Sequence, residues 1–248
     1  MNQSFYIGAV GAHQQLRHLN VHGDNIANVN TMGFKANKAR FTELMFQNMR
    51  AIVDDEQPYG VGTRMLMTST DFSQGTPGFT GRPFDYMIEG DGFFALADLS
   101  TGEISFTRNG AFKMSEYMRP GNEVDEEGRP ILEPVFCLSD GQGRFVLSQE
   151  GGLIEVTNSQ EELPIGIFDY INYDGMDYRR DTRVLPIEKN GDLRIGDGKL
   201  IQSYVEMSNT DLAEELSKVI EAQRAYGLAL KMVQTSDEVE TTINSLRS

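Results

Sequence analysis

Residues 24–35 read Asp24-Asn25-Ile26-Ala27-Asn28-Val29-Asn30-Thr31-Met32-Gly33-Phe34-Lys35, with three asparagines within six residues. Asparagine is unfavourable inside a helix because its side chain competes for backbone groups. Gly33 can take the left-handed conformation that ends many helices, and Phe34 follows as an apolar residue placed to fold back. The stretch therefore predicts that a helix stops near Asn30 to Gly33.

Small and apolar residues recur at heptad spacing upstream of this stretch. The intervals alternate between four and three residues, as in a coiled-coil seam that allows close approach. The members are Phe5, Ala9, Ala12, Leu16, Leu19, Gly23 and Ile26. Downstream, the apolar residues Phe41, Leu44, Met45, Met49 and Ile52 predict a second, shorter helix from about Asn37 to Ile52.

The other end of the chain also carries an apolar seam. Its members are Leu212, Leu216, Val219, Gln223, Tyr226, Leu230 and Val233, continued by Val239, Ile243 and Leu246. Ser208 to Asp211 resembles a capping box, so we expect a helix from 211 to about 246, ~50 Å long at ~1.5 Å per residue. Two seams of this kind predict that the terminal helices pair and leave apolar side chains exposed to a partner.

Residues 60–205 consist of short β-type runs separated by turn signals such as Asn109-Gly110 and Asp140-Gly141. The predicted strands are Phe84–Ile88, Gly92–Ala97, Ile104–Arg108, Pro130–Leu138, Arg144–Leu147, Leu153–Val156 and Ile165–Ile171. The predicted fold class is α+β, with N- and C-terminal helices paired as a coiled-coil-like stalk and an all-β irregular middle domain. The predicted domains are 1–59 with 206–248 (helical, terminal) and 60–205 (β-rich, middle).

Charge and cysteine content exclude several classes of protein. The net charge is −15, and residues 51–205 carry 27 acidic against 13 basic residues, which disfavours nucleic acid and anionic membranes as partners. Cys137 is the only cysteine, so an internal disulfide and a cysteine zinc cluster are excluded. No run approaches ~20 apolar residues, and the N-terminus lacks the basic region of a signal peptide, so we expect no direct membrane insertion.

Motifs for catalysis or metal binding are weak. His18 and His22 are four residues apart and could share a helix face, but the pattern lacks the glutamate of a zinc-protease helix and a third ligand. Gly90-Asp91-Gly92 lacks the third glycine of a dinucleotide site, and the Gly-x-Ser-x-Gly pattern is absent. We therefore expect no enzymatic activity, no catalytic residues, no metal and no cofactor.

Three separated parts of the chain resemble one family. Asn25 to Phe34 resembles the Asn-Ile-Ala-Asn-x-x-Thr-x-Gly-[Phe/Tyr] signature of the flagellar basal-body rod protein family, the hook and rod axial proteins. Residues 208–215 with 221–226 are similar to that family's C-terminal signature. The segments 80–85, 88–94 and 106–112 are similar to its entry into the middle domain. The chain length resembles that of proximal or distal rod subunits.

The resemblance implies a structural axial subunit of the basal-body rod. Such a subunit leaves the cytoplasm by the flagellar export apparatus and assembles in the basal body, in the cell envelope outside the cytoplasmic membrane. It polymerises with copies of itself and neighbouring rod and hook subunits, and it transmits torque. The implied assembly interface comprises Leu16, Leu19, Asn25, Ile26, Asn28, Gly33, Phe34, Asn209, Leu212, Leu216, Val219, Gln223, Arg224, Tyr226, Leu230 and Val233. Among these, Asn25, Asn28, Gly33 and Phe34 are expected to shape the end of the first helix, and Gln223 and Arg224 to contact a neighbour.

Two alternatives from other classes stay open at this point. One is a secreted β-domain binding module whose helices serve as an oligomerisation stalk. The other is a carbohydrate-active enzyme that uses carboxylates of the acidic loops. Closed oligomers of fixed size would favour the binding module, whereas open filaments would favour the rod subunit.

Overall fold

The computed structural model describes residues 3–43, 47–49, 57–59, 63–124, 130–157, 163–179 and 181–247. The fold is α+β, as predicted. Two compact units divide the chain. The terminal unit comprises Met1–Val29, Ala36–Asp71 and Thr210–Ser248, and the middle unit comprises Asn30–Lys35 and Phe72–Asn209. The domain division predicted at 59/60 and 205/206 stays a prediction.

The terminal unit contains two paired helices and two strand pairs. Helix α1 spans Gln3–Ala27 and helix α2 spans Leu212–Arg247. The helices are antiparallel, because His22 contacts Glu215 whereas Gly8 lies beside Val233. Strand β1 (Asn37–Glu43) pairs with β4 (Thr63–Thr70), and β2 (Gln47–Met49) pairs with β3 (Gln57–Tyr59).

The helix predicted from Asn37 to Ile52 is wrong, because β1 and β2 occupy the described part of that range. The sequence from Lys38 to Thr42 alternates between polar residues and Ala39 or Phe41, which is the period of a strand. A pairing partner some twenty residues further along the chain then stabilises the extended form. Leu44, Met45 and residues 50–52 of the predicted helix lie outside the described residues.

Both long helices begin or end at residues with recognisable capping chemistry. Helix α1 ends at Ala27, earlier than predicted, and the Asn28 side-chain amide donates to the Asp24 carbonyl over 2.8 Å. The predicted extent of α2 is confirmed. Its N-terminal cap is Asp211, not Ser208, because Asp211 Oδ1 accepts from the Ala213 N–H over 2.9 Å.

The middle unit is built on one large antiparallel sheet. In the described residues this sheet has nine strands, in the order β13-β14-β8-β7-β11-β10-β9, with β12 pairing to β7 and to β15. The strands are β7 (Phe93–Asp98), β8 (Ile104–Thr107), β9 (Lys113–Val124), β10 (Pro130–Ser139), β11 (Arg144–Val146), β12 (Ile167–Asp169), β13 (Asp177–Tyr178), β14 (Arg183–Leu185) and β15 (Arg194–Ile195).

Shorter pairs and one helical turn complete the middle unit. Strand β6 (Tyr86–Glu89) pairs with β16 (Lys199–Gln202), and β5 (Pro77–Phe79) pairs with β17 (Tyr204–Glu206). A 3-10 turn spans Glu188–Asn190. The predicted strands near 86, 93, 104, 130, 144 and 167 are confirmed, and Leu153–Val156 forms isolated bridges.

The core of the middle unit lies on both faces of strand β7. Phe94 and Leu96 point into one apolar cluster, whereas Phe93 and Ala95 point into another. Successive side chains of a strand point to opposite faces, so a strand buried on both sides needs a continuous apolar run. This explains why the sequence from Gly92 to Ala97 is apolar without alternation.

Candidate assembly surface

The seam between α1 and α2 is made of small residues. Gly8, Ala12 and Ala222 are buried along it. A Cβ atom on Gly8 would lie 2.9 Å from Val233 Cγ2 and 3.3 Å from the Ala229 carbonyl oxygen, so the two helices are in close contact here. Close contact of this kind requires small residues, and at position 8 it requires glycine.

The predicted apolar seam is confirmed at Ala12, but at several other positions the buried residue lies one place before the predicted one, as with Ala222 before Gln223. Leu16, Leu212, Leu216 and Leu230 are exposed, and Leu216 retains 47 % of its accessible surface. Half-buried members of the predicted seam flank the true contact: Leu19, Ile26, Val219, Tyr226 and Val233. Gln223 and Arg224 are both exposed, so Gln223 does not occupy a buried position between the two helices.

Exposed apolar side chains form two stripes on α2. The N-terminal stripe comprises Leu212, Leu216 and Ile220. The C-terminal stripe comprises Leu228, Met232, Val239, Ile243 and Leu246, with intervals of four, seven, four and three residues. Leu228 is 70 % exposed and Leu246 is 82 % exposed. The heptad-related spacing is typical of a helix that packs against another helix.

The C-terminal stripe extends beyond the described start of α1. Gly8 lies beside Val233, and α1 begins five residues before Gly8, at Gln3. Helix α2 continues from Val233 for fourteen more residues, to Arg247, which is about 21 Å at ~1.5 Å per residue. The last turns of α2 therefore have no contact with the described part of α1.

A polar cluster lies within the otherwise small-residue seam. His22 Nδ1 contacts Glu215 Oε2, and His22 Nε2 lies 2.8 Å from His18 Nε2. Burial, followed by the neighbouring His22, lowers the pKa of His18, while Glu221 opposes this shift. Among the described residues, no group of three or more His, Cys, Asp or Glu side chains is arranged to hold a metal ion.

Asn25 links the end of α1 to the start of β1. Its side chain is fully buried; Nδ2 donates to the Asn37 carbonyl over 2.8 Å, and Oδ1 accepts from the Asn37 N–H over 2.8 Å. The amide thus satisfies both backbone groups of one residue, as a neighbouring strand would. Aspartate cannot donate and leucine can do neither, which gives a physical reason for asparagine at this position.

Gly33, Phe34 and Asn209 belong to the middle unit. That Gly33 and Phe34 shape the end of α1 stays a prediction. Gly33 has a φ of +69°, and a Cβ atom there would lie 2.4 Å from the Asn109 nitrogen. The buried Phe34 ring meets Tyr178 edge to face, with ring centroids 5.9 Å apart.

Sequence reasoning missed a buried ionic cluster in the middle unit. Lys35 Nζ lies 2.5 Å from Glu206 Oε1, and Arg108 Nη1 lies 3.3 Å from Glu206 Oε2. Lys35 directly follows the N-terminal signature, Arg108 lies in the middle-domain signature, and Glu206 closely precedes the C-terminal one. The available signal was a charged residue in or next to each of these segments, although nothing in the sequence indicated that the three charges pair.

Paired terminal helices with exposed apolar stripes, together with a separately packed β unit, are typical of proteins that associate through their helices. Family comparisons agree with this class. Residues 5–35 match the family model "Flagella basal body rod protein", residues 87–165 match "Flagellar hook protein FlgE/F/G D1 domain", and residues 201–246 match "Flagellar basal body rod FlgEFG protein C-terminal".

Similar proteins cover essentially the whole chain. The flagellar basal-body rod protein FlgG of Buchnera aphidicola subsp. Schizaphis graminum is 32% identical, over 99% of this chain and 100% of that protein. FlgG of Bacillus subtilis is 30% identical over 100% of both chains, and FlgG of Caulobacter vibrioides is 29% identical over 99% and 100%. The chain belongs to the flagellar basal-body rod protein family. In the described residues, neither helix is apolar enough over a sufficient length to cross a membrane.

Proposed function

We propose that this protein is a non-enzymatic structural subunit of the flagellar basal-body rod. It polymerises through its terminal helices with copies of itself and with neighbouring rod and hook subunits, and it transmits torque. It leaves the cytoplasm through the flagellar export apparatus and lies in the cell envelope outside the cytoplasmic membrane. The names of its full-length relatives support the rod assignment.

The observation that carries the polymerisation proposal is the pair of exposed apolar stripes on α2. Fully burying a leucine or isoleucine side chain contributes about 1.5–3 kcal/mol, so several such residues per subunit give a substantial association energy. Helices with heptad-spaced apolar residues bury them most efficiently against other helices. A neighbouring subunit that offers its own terminal helices provides that surface.

The proposed interface keeps the residues that the family signatures indicate and adds the stripe residues found in the structure. Exposed members contact a neighbour directly, whereas half-buried members and the buried Asn25, Gly33 and Phe34 support the surface around them. Gln223 and Arg224 are exposed beside the N-terminal stripe and supply polar contacts to the neighbour. The added residues are Ile220, Leu228, Met232, Val239, Ile243 and Leu246.

The test is Leu216→Asp against the matched control Ser217→Asp. Both add one negative charge to the same turn of α2, but Ser217 lies outside the apolar stripe and is exposed. Because both positions are exposed, each variant should change monomer stability by less than about 0.5 kcal/mol. Leu216→Asp should abolish rod formation and motility in a strain that lacks the native copy, and Ser217→Asp should support both.

Electron microscopy of the purified native chain, alone and with other axial subunits, gives the second readout. Open filaments support the proposal. Closed oligomers of one size would favour the binding-module alternative, and normal motility with Leu216→Asp would contradict assembly through this stripe.

A further inference from the structure

The chain passes between the terminal and middle units four times. The passages lie at 29/30, 35/36, 71/72 and 209/210. On the side of the middle unit they end in three short segments, which we call the crossing segments: residues 30–35, 72–76 and 203–209. A force transmitted along the polypeptide from the terminal unit enters the middle unit through these segments.

Glu206 connects all three crossing segments. Its side chain is 1 % exposed, and Oε1 accepts from Lys35 Nζ over 2.5 Å and from the Gly75 N–H over 2.7 Å. Its backbone carbonyl accepts from the Gly33 N–H over 2.7 Å. One residue of the last segment therefore binds the first segment twice and the second segment once.

Lys35 and Asn209 complete these connections at Ser73. Lys35 Nζ donates to the Ser73 carbonyl over 2.8 Å, and Asn209 Nδ2 donates to the same oxygen over 3.1 Å. The Lys35 side chain is almost fully buried. A buried ammonium group with two fixed acceptors holds its segment in one position, because any displacement leaves a charge unpaired in a medium of low dielectric.

Arg108 anchors the cluster to the sheet. It donates from Nη2 to the Gly90 carbonyl over 2.8 Å and lies over the Phe93 ring, with 5.5 Å from Cζ to the ring centroid. The guanidinium group also pairs with the second oxygen of Glu206. Because Phe93 is a core residue, this ring contact attaches the ionic cluster to the core of the middle unit.

Stability alone does not explain three buried charges, because well-packed apolar residues in their place are often as stable. Hydrogen bonds and ion pairs of charged groups are directional, so each one fixes the position of its partner. Apolar contacts impose no such direction. We propose that the Lys35–Glu206–Arg108 cluster fixes the mutual spacing of the crossing segments and carries load between the units. This inference rests on the torque role proposed above and assigns Lys35 and Glu206 as positioning residues for it.

The test compares Lys35→Met with Lys38→Met in the full chain. Lys35→Met removes the buried tether and leaves Glu206 and Arg108 as a one-to-one pair, so the middle unit should still fold. Lys38 is the matched control, because it pairs with Asp71 over 2.7 Å while its side chain is largely exposed. Exposed pairs of this kind contribute little.

Single molecules are pulled between the two units. Handles are attached through Leu16→Cys in α1 and Ile195→Cys in β15, both at exposed positions, while the native Cys137 is buried. At constant force, Lys35→Met should release the first crossing segment at least about tenfold faster than the native chain, the factor expected for losing a charged hydrogen bond. Lys38→Met should release it at the native rate. Equal release rates for all three proteins would overturn the proposal.

Amide hydrogen exchange identifies the region that is loosened. In Lys35→Met, exchange at Gly33 and Gly75 should accelerate about tenfold or more while the buried Val146 is unchanged. Equal acceleration at all three sites would mean that Lys35 only stabilises the fold, and the proposal would be overturned. Both measurements use monomers and therefore test this inference separately from the proposed function. A negative result here would leave rod formation by the native chain unaffected, and a failure to form rods would leave these measurements unaffected.

Discussion

The two terminal helices and the middle sheet treat their large apolar side chains in opposite ways. In the sheet, Phe93, Phe94 and Leu138 are almost completely buried. In the helix pair, Gly8, Ala12 and Ala222 occupy the contact while Leu228 and Leu246 remain exposed. The middle unit thus completes its core within one chain. In the helix pair, by contrast, several large apolar side chains remain exposed on the surface of the single chain.

This difference predicts where a core substitution has its largest effect. Phe94→Ala should lower the free energy of unfolding of the middle unit by about 3–5 kcal/mol, because it removes a buried ring and leaves a cavity. The ring packs edge to face on Phe112, with centroids 5.0 Å apart. Denaturant unfolding monitored by near-ultraviolet circular dichroism measures the loss.

Phe79→Ala is the control for this core prediction, because Phe79 is exposed on β5. It should change the free energy of unfolding by less than about 0.5 kcal/mol. Similar losses from both variants would mean that the burial contrast within the middle unit does not govern its stability.

The effect of a Gly→Ala substitution on the stability of the helix pair should depend on where the glycine lies, and not only on the higher helix propensity of alanine. Alanine is favoured over glycine inside a helix by about 1 kcal/mol, and Gly227→Ala should gain much of this because a Cβ atom there meets nothing within 4 Å. Gly8→Ala should instead destabilise the helix pair by about 1 kcal/mol, since its Cβ atom would collide with the stiff Val233 side chain.

Thermal unfolding of each glycine variant, followed by helical circular dichroism, shows whether each substitution stabilises or destabilises the helix pair. Opposite signs support a seam made by close contact. A gain in stability from both substitutions would show that the helices do not approach each other closely at Gly8 in solution.

The smallest expected effect is a pH dependence confined to the helix pair. Because burial and His22 lower the pKa of His18, the unfolded chain binds a proton there more readily than the folded chain. Stability from this group is complete above about pH 6.5, the ordinary histidine value, and is lost as the pH falls below it. The groups around His18 are His22, Glu215, Lys218 and Glu221.

His18→Gln should flatten the fall in helical stability between about pH 7 and pH 5, whereas His13→Gln, at an exposed position of α1, should retain it because His18 is still present. Helix melting temperatures across this pH range provide the measurement. An unchanged slope in His18→Gln would assign the pH dependence to other groups.

The sequence predicted those helices and strands whose bounds depend on neighbouring residues in the chain. The bounds of α2 follow from its seam and from the acidic residues of its first turn, and the strands of the middle unit follow from short apolar runs between turn residues. The prediction of a helix over residues 37–52 was wrong because the spacing of the apolar residues is compatible with the period of a helix and with that of a strand. Pairing with the distant residues 63–70 decided the outcome.

Contacts between distant segments were harder to predict. Apolar spacing indicated an apolar face on each terminal helix, but residue size determined which neighbouring positions made contact, so Ala222 is buried and Gln223 is not. The pairing of Lys35 with Glu206 joins residues 171 positions apart, and no local period encodes it. Such pairs emerge only when the fold brings the segments together.

The order of segments in the terminal unit also has a consequence for timing. Helix α1 precedes the residues of the sheet in the chain, whereas its partner α2 follows them. The residues that build the sheet, 93–195, all emerge before α2 begins. The helix pair therefore cannot form until the sheet residues have been synthesised, so the proposed assembly surface appears only after the middle unit is able to fold.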